Sequence, residues 1–411
     1  MKLAIYNGLI LLLIPILQIR LLFKSLNDIG YRAFIPQRYA AHLTPIKRQK
    51  EQLIWFHAVS LGEVIASQGM IKSLLNKFDV VLTTTTPTGL RKAKEIYKDS
   101  VAINYAPWDL GPLIVKFLEF YQPSALLIFE TEIWPSMITA AHKKQLPIFL
   151  MNGRLSDQSF NAYLRVSWFF KDILQKITFI FVQTEEHKNR FLKLGLNTSN
   201  IAVAGSVKFD APGSQPKLLD LPKFILGAST HPGEEEIVLR AFQKMRPQHS
   251  HKLFICPRHP ERSMEVLKIA KKMNFKSQLY SQLDQQEYEV CIIDSAGLLL
   301  DFYNGAELAF VGGSLVPRGG HNLIEPAVMG TPIIIGHQTF NFEEIADNFT
   351  KSNACIRVTN EQELLQGILL ILNDADFATQ LTANAKNLVL QNEGSTQTQV
   401  SYIIDRLGVL H

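Results

Sequence analysis

Cysteine is scarce in this chain, and the few that occur do not cluster. Cys256, Cys291 and Cys355 are the only three in 411 residues. Such spacing excludes a cysteine-built metal motif and a disulfide framework, and it fits a reducing compartment. Cys256 and Cys291 fall in apolar runs and read as buried packing residues. Charge is thin as well: charged residues make up 19% of the chain and the net charge is +5. That balance suits an anionic ligand or a membrane surface. It lacks the dense basic stripe of a nucleic-acid binder, so no nucleic-acid partner is expected. No Walker A sequence, no G-x-G-x-x-G after the first strand and no G-x-S-x-G elbow occurs, so three common catalytic signatures are missing. The one D-x-D, Asp374-Ala375-Asp376, falls in a helical stretch and is a poor metal site. No repeat or low-complexity segment is visible.

What the chain does have is apolar content. At 47% hydrophobic, 411 residues can build two or three well-cored domains. Residues 3–23 are mostly apolar and interrupted by Pro15, which is expected to kink a helix. The length is marginal for a bilayer-spanning helix. A cleavable signal is the rival reading, but Arg20 arrives where a small-x-small cleavage site would stand. Arg20, Lys24, Arg32, Arg38, Lys47, Arg48 and Lys50 follow with few acids between them. That flank is expected to keep the body in the cytoplasm and hold it against anionic lipid. The alternatives to an anchor are a helix lying in the interface and one buried in a soluble domain.

From Leu53 the pattern alternates. Short apolar runs near residues 53–57, 80–82, 101–105, 125–129, 148–151 and 179–182 read as strands, with helical spacing between them. Residues 211–222, rich in Pro and Gly, read as a linker. Apolar runs resume near 224–227, 252–256, 277–280, 290–293, 308–311 and 332–335, and residues 361–407 read as largely helical. The expected organisation is an anchor and basic segment over 1–50, an α/β domain over 51–210, a linker over 211–222 and a second α/β domain over 223–411. Buried strands alternating with helices imply two parallel sheets, and a hinge between them suggests a cleft. Ligands of such sheets sit beyond the C-terminal strand ends.

The strand ends carry the chemistry. The run 310–326 passes from an apolar strand through Gly312 and Gly313 to Arg318, His321, Asn322 and Glu325. Glycine permits close backbone approach, and Asn322 is a good N-cap for a helix whose N-terminus favours phosphate. Glu325, one turn on, is suited to ribose hydroxyls. An ordinary tight strand-to-helix turn would use the same glycines. Arg258, at the end of another strand, is suited to a bidentate anion contact, whereas Arg262 reads as a surface salt-bridge residue. The turn over 227–236 offers further backbone N–H groups. In the first half, Glu63 follows Ser60 at a helix start, either as a favourable charge on the helix dipole or as a general base at the mouth of the cleft. Glu130 and Glu132 end another strand, ahead of Trp134 and Pro135, and Arg154 ends a third. Lys208, just before the linker, either faces the cleft or is simply solvated.

Taken in order, the motifs at 57–63, 130–135, 152–156, 205–210, 227–236, 257–262 and 312–326 resemble those of the 3-deoxy-D-manno-oct-2-ulosonic acid (Kdo) transferases. The resemblance covers nearly the whole chain, including the apolar N-terminus. It implies a GT-B fold of two Rossmann-like domains facing a cleft, with an N-terminal membrane-anchor helix. It implies transfer of Kdo from CMP-Kdo to the lipid A precursor at the cytoplasmic face of the inner membrane, with no metal or other cofactor. The family's acidic base, in a Ser-x-Gly-Glu motif, falls on Glu63. Its nucleotide-sugar positions fall on Arg258, Gly312, Gly313, Asn322 and Glu325, with Lys208 added. Ser60, Glu132 and Arg154 are carried as acceptor or transition-state positions. Two rival functions remain: another GT-B enzyme such as a nucleotide-sugar epimerase, and a non-catalytic, membrane-attached nucleotide sensor. A sensor would need no carboxylate on the acceptor side.

Overall fold

The computed structural model describes residues 2–26, 28–210, 216–283 and 287–408. The first five residues of the predicted alternation, Leu53–His57 (β1), are all buried. A strand covered on both faces has no polar side to show, which is why it reads as a continuous apolar run. The period of two survives in the packing. Leu53 and Trp55 enter one core with Phe117 and Leu126, while Ile54 and Phe56 enter the other with Phe129 and Phe149.

The first sheet is completed by Asp79–Thr84 (β2), Ala102–Tyr105 (β3), Ala125–Phe129 (β4), Ile148–Gly153 (β5), Phe179–Val182 (β6) and Ile201–Val203 (β7). Its order is β3-β2-β1-β4-β5-β6-β7, and every pair is parallel. The chain builds outward from β1 to β3 and then returns to add β4 beside β1. That reversal opens a crevice at the C-terminal ends of β1 and β4, the place where open α/β sheets bind ligands.

The second sheet repeats the plan. It contains Phe224–Thr230 (β8), Lys252–Pro257 (β9), Ser277–Leu279 (β10), Val290–Ile292 (β11), Leu308–Val311 (β12), Ile333–Gly336 (β13) and Ile356–Val358 (β14), in the order β10-β11-β9-β8-β12-β13-β14. Its reversal lies between β8 and β12. β7 and β14, three-residue edge strands, are not among the strands expected from the sequence. The spacing around 163–173 predicts one longer helix, whereas the chain breaks at Val166 into Asp157–Arg165 and Ser167–Leu174.

The chain divides into one unit of Met1–Asp210 with Asn392–His411 and a second of Ala211–Gln391. The expected second domain, 223–411, is therefore too long: the final helix, Ser395–Arg406, belongs to the first unit. Val400 and Ile403 enter the core that holds Ile54 and Phe56, and Tyr402 packs on Phe179 with ring centroids 4.5 Å apart. Asp210 fastens the return, accepting from the amides of Gly394 at 2.8 Å and Thr396 at 2.7 Å. Of the expected linker, residues 211–215 lie outside the described residues. The N-terminal helix Lys2–Lys24 is continuous through Pro15.

Candidate active site

In the first unit, β1 ends at His57 and the chain turns into the helix Leu61–Ala66. Ser60 is its N-cap, and its Oγ accepts from the Glu63 amide at 3.3 Å. The Glu63 side chain folds back over the turn. Its Oε1 accepts from the Ser60 hydroxyl at 2.9 Å and its Oε2 from the Val59 amide at 2.8 Å. Ser60 and Glu63 thus form a variant of the reciprocal capping box. Yet Glu63 is only 7% exposed, and burial drives its carboxyl up to about 8, with the carboxylates of Glu130 and Glu132 adding to the rise. A helix cap alone needs no such environment. The same crevice therefore holds three carboxylates, two of them brought by the end of β4 beside β1.

Those two are fixed differently. The Trp134 indole N–H donates to Glu132 at 2.8 Å, and burial raises the Glu132 carboxyl. Glu130, at positive φ, is held between two cations: Lys208 Nζ at 3.2 Å from one oxygen and Arg154 Nε at 3.2 Å from the other. Lys208, expected to face the cleft among the nucleotide-sugar residues or to be simply solvated, stands in the first unit beside Glu130 and Arg154. Its loop is set by Asn152, a fully buried residue at positive φ whose Oδ1 accepts from the Val207 amide at 3.1 Å. The Asn152 amide in turn donates to Gln399 on the returning C-terminal helix at 2.9 Å. His57, the first residue of its motif, is fully buried, is held neutral by desolvation and bonds Thr83 at 2.9 Å, so its place is in the core.

In the second unit, the turns after β8, β9 and β12 bring Gly312, Gly313, Arg258, Asn322 and Glu325 to one end of the sheet. The glycine loop is built more tightly than a ligand cradle requires. A Cβ on Gly312 would stand 2.7 Å from the Ser229 carbonyl oxygen and 2.8 Å from Thr230 Cα. The group that occupies the loop is internal. Glu234 accepts from the amides of Gly313 at 2.7 Å, Ser314 at 2.9 Å, Leu315 at 2.9 Å and His231 at 3.0 Å. The close approach that glycine permits here thus serves an internal group: a buried carboxylate takes the amides of Gly313, Ser314 and Leu315. The helix start also differs. The helix is Ile324–Met329 with Leu323 as N-cap, and Asn322 reaches past it, its Oδ1 accepting from the Ile324 amide at 3.0 Å. Its Nδ2 donates to Glu325 at 3.2 Å, and burial raises the Glu325 carboxyl against the pull of Asn322 and Arg258.

Cations surround this end of the sheet. Arg262 makes the expected kind of salt bridge, to the buried Glu235 at 2.7 Å and to Glu265 at 2.9 Å, but its side chain is mostly covered rather than on the open surface. The exposed Arg258 has no ion pair among the described residues. His231 and His321 stack at 8°, with their Nε2 atoms 2.9 Å apart. One ring must donate and the other accept. Burial, with Arg318 and other neighbouring cations, holds His231 down to about 4, and burial with His231 and Arg258 does the same for His321. Both rings are therefore neutral near pH 7 in an electropositive surround, an arrangement matched to an anion. Glu234 and His231 lie within the 227–236 turn and His321 within the 310–326 run, but the sequence alone assigns none of them a role. The three consecutive glutamates at 234–236 do not disclose which one turns inward.

Comparison with known proteins follows the same lines. A family model described as 3-Deoxy-D-manno-octulosonic-acid transferase (kdotransferase) matches residues 34–211. The 3-deoxy-D-manno-octulosonic acid transferase of Haemophilus influenzae is 30% identical over 410 residues, covering 95% of this chain and 96% of that protein. The Aquifex aeolicus protein of the same description is 31% identical over 78% of this chain and 86% of its own length. Among solved structures, a UDP-GlcNAc 2-epimerase from Neisseria meningitidis bound to UDP-GlcNAc covers 86% of this chain and 99% of its own, with a TM-score of 0.54 at 13% identity. That likeness concerns the GT-B-like fold alone, whereas the full-length sequence match goes further: the chain belongs to the 3-deoxy-D-manno-octulosonic acid (Kdo) transferase family of glycosyltransferases.

Proposed function

We propose that this protein transfers Kdo from CMP-Kdo to the lipid A precursor, lipid IVA, by direct displacement with inversion and without a metal, at the cytoplasmic face of the inner membrane. The observation that carries the reading is Glu63, a buried carboxylate at the sheet's reversal, raised to about 8 and flanked by two more acids. A group with that value exchanges a proton near physiological pH, as a general base must. In the proposed step the acceptor hydroxyl gives its proton to Glu63 as its oxygen bonds to the anomeric carbon. The bond from that carbon to the CMP phosphate breaks, and its electron pair leaves with CMP. Arg258 and the electropositive group around His231 and His321 hold the phosphate and stabilise the charge it gains. Glu325 and Asn322 orient the nucleotide. Lys208 and Arg154 act through Glu130, whose charge helps set the proton affinity of Glu63.

The test is Glu63→Gln. Transfer to the lipid should fall by roughly 10²–10⁴-fold, while CMP-Kdo affinity measured by calorimetry stays within twofold, because the base touches the acceptor. Retained turnover would remove Glu63 from the role.

A further inference from the structure

The N-terminal helix Lys2–Lys24 is sheltered along one stripe for its whole length. The covered positions recur at Leu3, Asn7, Ile10, Ile14, Leu17 and Leu21, three and four residues apart. At about 1.5 Å per residue the stripe runs for roughly 27 Å. It is fastened by polar groups near both ends. Lys2 Nζ pairs with Asp172 at 3.1 Å, and Tyr6 donates to Asp109 at 2.8 Å. Asn7 Oδ1 accepts from Ser136 Oγ at 2.8 Å and from the Gly111 amide at 3.2 Å. Toward the other end, Tyr39 donates to Gln18 at 2.7 Å. A helix standing across a bilayer would meet its own domain at one end only.

The outward face is the reverse of a soluble surface helix. Ile5, Leu9, Leu12, Ile16, Ile19 and Phe23 are each more than half exposed, with no acid anywhere from Lys2 to Leu26. An apolar face of this length is not left to water. Arg20 and Lys24 close it with positive charge, and Trp168, 58% exposed, adjoins its start beneath Lys2. We infer that this helix lies in the plane of the membrane, its outward face sunk into the boundary between head groups and acyl chains of an anionic bilayer and its polar stripe bolted to the first unit. The helix does not cross. The inference rests on the membrane reading in the proposed function and goes beyond it. Its consequence is positional. Asp109, which takes the Tyr6 hydroxyl, also accepts from the Ser136 amide at 3.0 Å and the Met137 amide at 2.7 Å. Those amides begin the helix that follows Glu132 and Trp134, so the membrane-lying helix is tied directly to the segment carrying an acceptor-side carboxylate.

The test uses the full chain with Cys256, Cys291 and Cys355 changed to serine. Single cysteines are introduced as Ile5→Cys, Leu12→Cys, Ile16→Cys and Phe23→Cys, spin-labelled, and bound to vesicles of phosphatidylcholine with phosphatidylglycerol. An in-plane helix gives all four labels one shallow depth. A depth maximum at Leu12→Cys, with shallow ends, overturns the inference. So does failure to bind vesicles with helix-to-helix dimers in solution, which would make a second copy the cover. If the substituted chain does not fold, the wild-type chain with a protease-cleavable N-terminal tag decides the matter in intact spheroplasts. The tag should be cut only after lysis, and cutting in intact cells overturns the inference. Vesicle binding with a spanning profile leaves the membrane reading standing, whereas a flat profile without sugar transfer leaves the helix placement standing and removes the catalytic reading.

Discussion

Replacing Glu63 with glutamine should raise thermal stability while abolishing transfer, and the gain should depend on pH. Burial holds the Glu63 carboxyl at about 8 in the folded chain, against an ordinary 4.5. An acid raised by folding keeps its proton in the native state while the unfolded chain releases it. Its contribution to stability is therefore greatest below the unfolded value, declines as pH rises toward about 8, and is constant beyond. Near pH 7.5 the gap is about 3 units, which at about 1.4 kcal/mol each is on the order of 4 kcal/mol against folding. Glutamine is neutral at every pH and escapes this cost. It keeps one acceptor oxygen for the Val59 amide or the Ser60 hydroxyl and loses the other, a penalty of about 1 kcal/mol. The net gain is on the order of 3 kcal/mol near pH 7.5 and close to zero near pH 5. In a chain of this size each kcal/mol moves the midpoint by about 2–4 °C. Melting curves of both proteins in matched buffers across that range would show it. Were Glu63 only a first-turn cap with an ordinary carboxylate, glutamine would cost about 1 kcal/mol at every pH. A flat, negative difference would refute the reasoning.

Other perturbations follow from the same geometry. Lys208→Ala strips Glu130 of one of its two cations, so the charge beside Glu63 is less compensated; the pH at which transfer switches on should move upward, and an unmoved pH–rate limb would detach Lys208 from the site. Gly312→Ala puts a methyl against the Ser229 carbonyl and Thr230, so a loss of roughly 2–3 kcal/mol is expected from overpacking, read as a lower melting temperature; an unchanged value would show the turn can open. Glu234→Gln leaves one acceptor oxygen for four amide donors, and a loss of roughly 3 kcal/mol or more is expected from the stranded N–H groups, with CMP-Kdo affinity falling as the loop loosens; calorimetry finding full affinity would separate the loop from the donor site.

The alternation of strands and helices was legible because central parallel strands are apolar on both faces and leave a continuous run, as Leu53–His57 does. β7 and β14, three residues each at sheet edges, were not read, although the edge strands β3 and β10 were. The return of Ser395–Arg406 to the first unit could not be read from its sequence: an amphipathic helix announces an apolar face but not its partner, and the partner here is set by Asp210 and Asn152. Glu63 was legible in position, yet its burial and its two acidic neighbours depend on β4 lying beside β1. Lys208 was legible only as a residue just before the linker, and its pairing with Glu130 depends on the loop that Asn152 sets. The glycine loop was legible as a tight approach, but glycine permits a ligand and an internal carboxylate alike, and only the fold brings Glu234 beneath it.

The central claim is the transfer itself. Purified protein would be incubated with CMP-Kdo and lipid IVA in detergent, with chelator and no added metal, and the lipid weighed by mass spectrometry. The account predicts a gain in whole Kdo units that disappears with Glu63→Gln. An unchanged lipid, with intact CMP-Kdo and a folded protein, would contradict it.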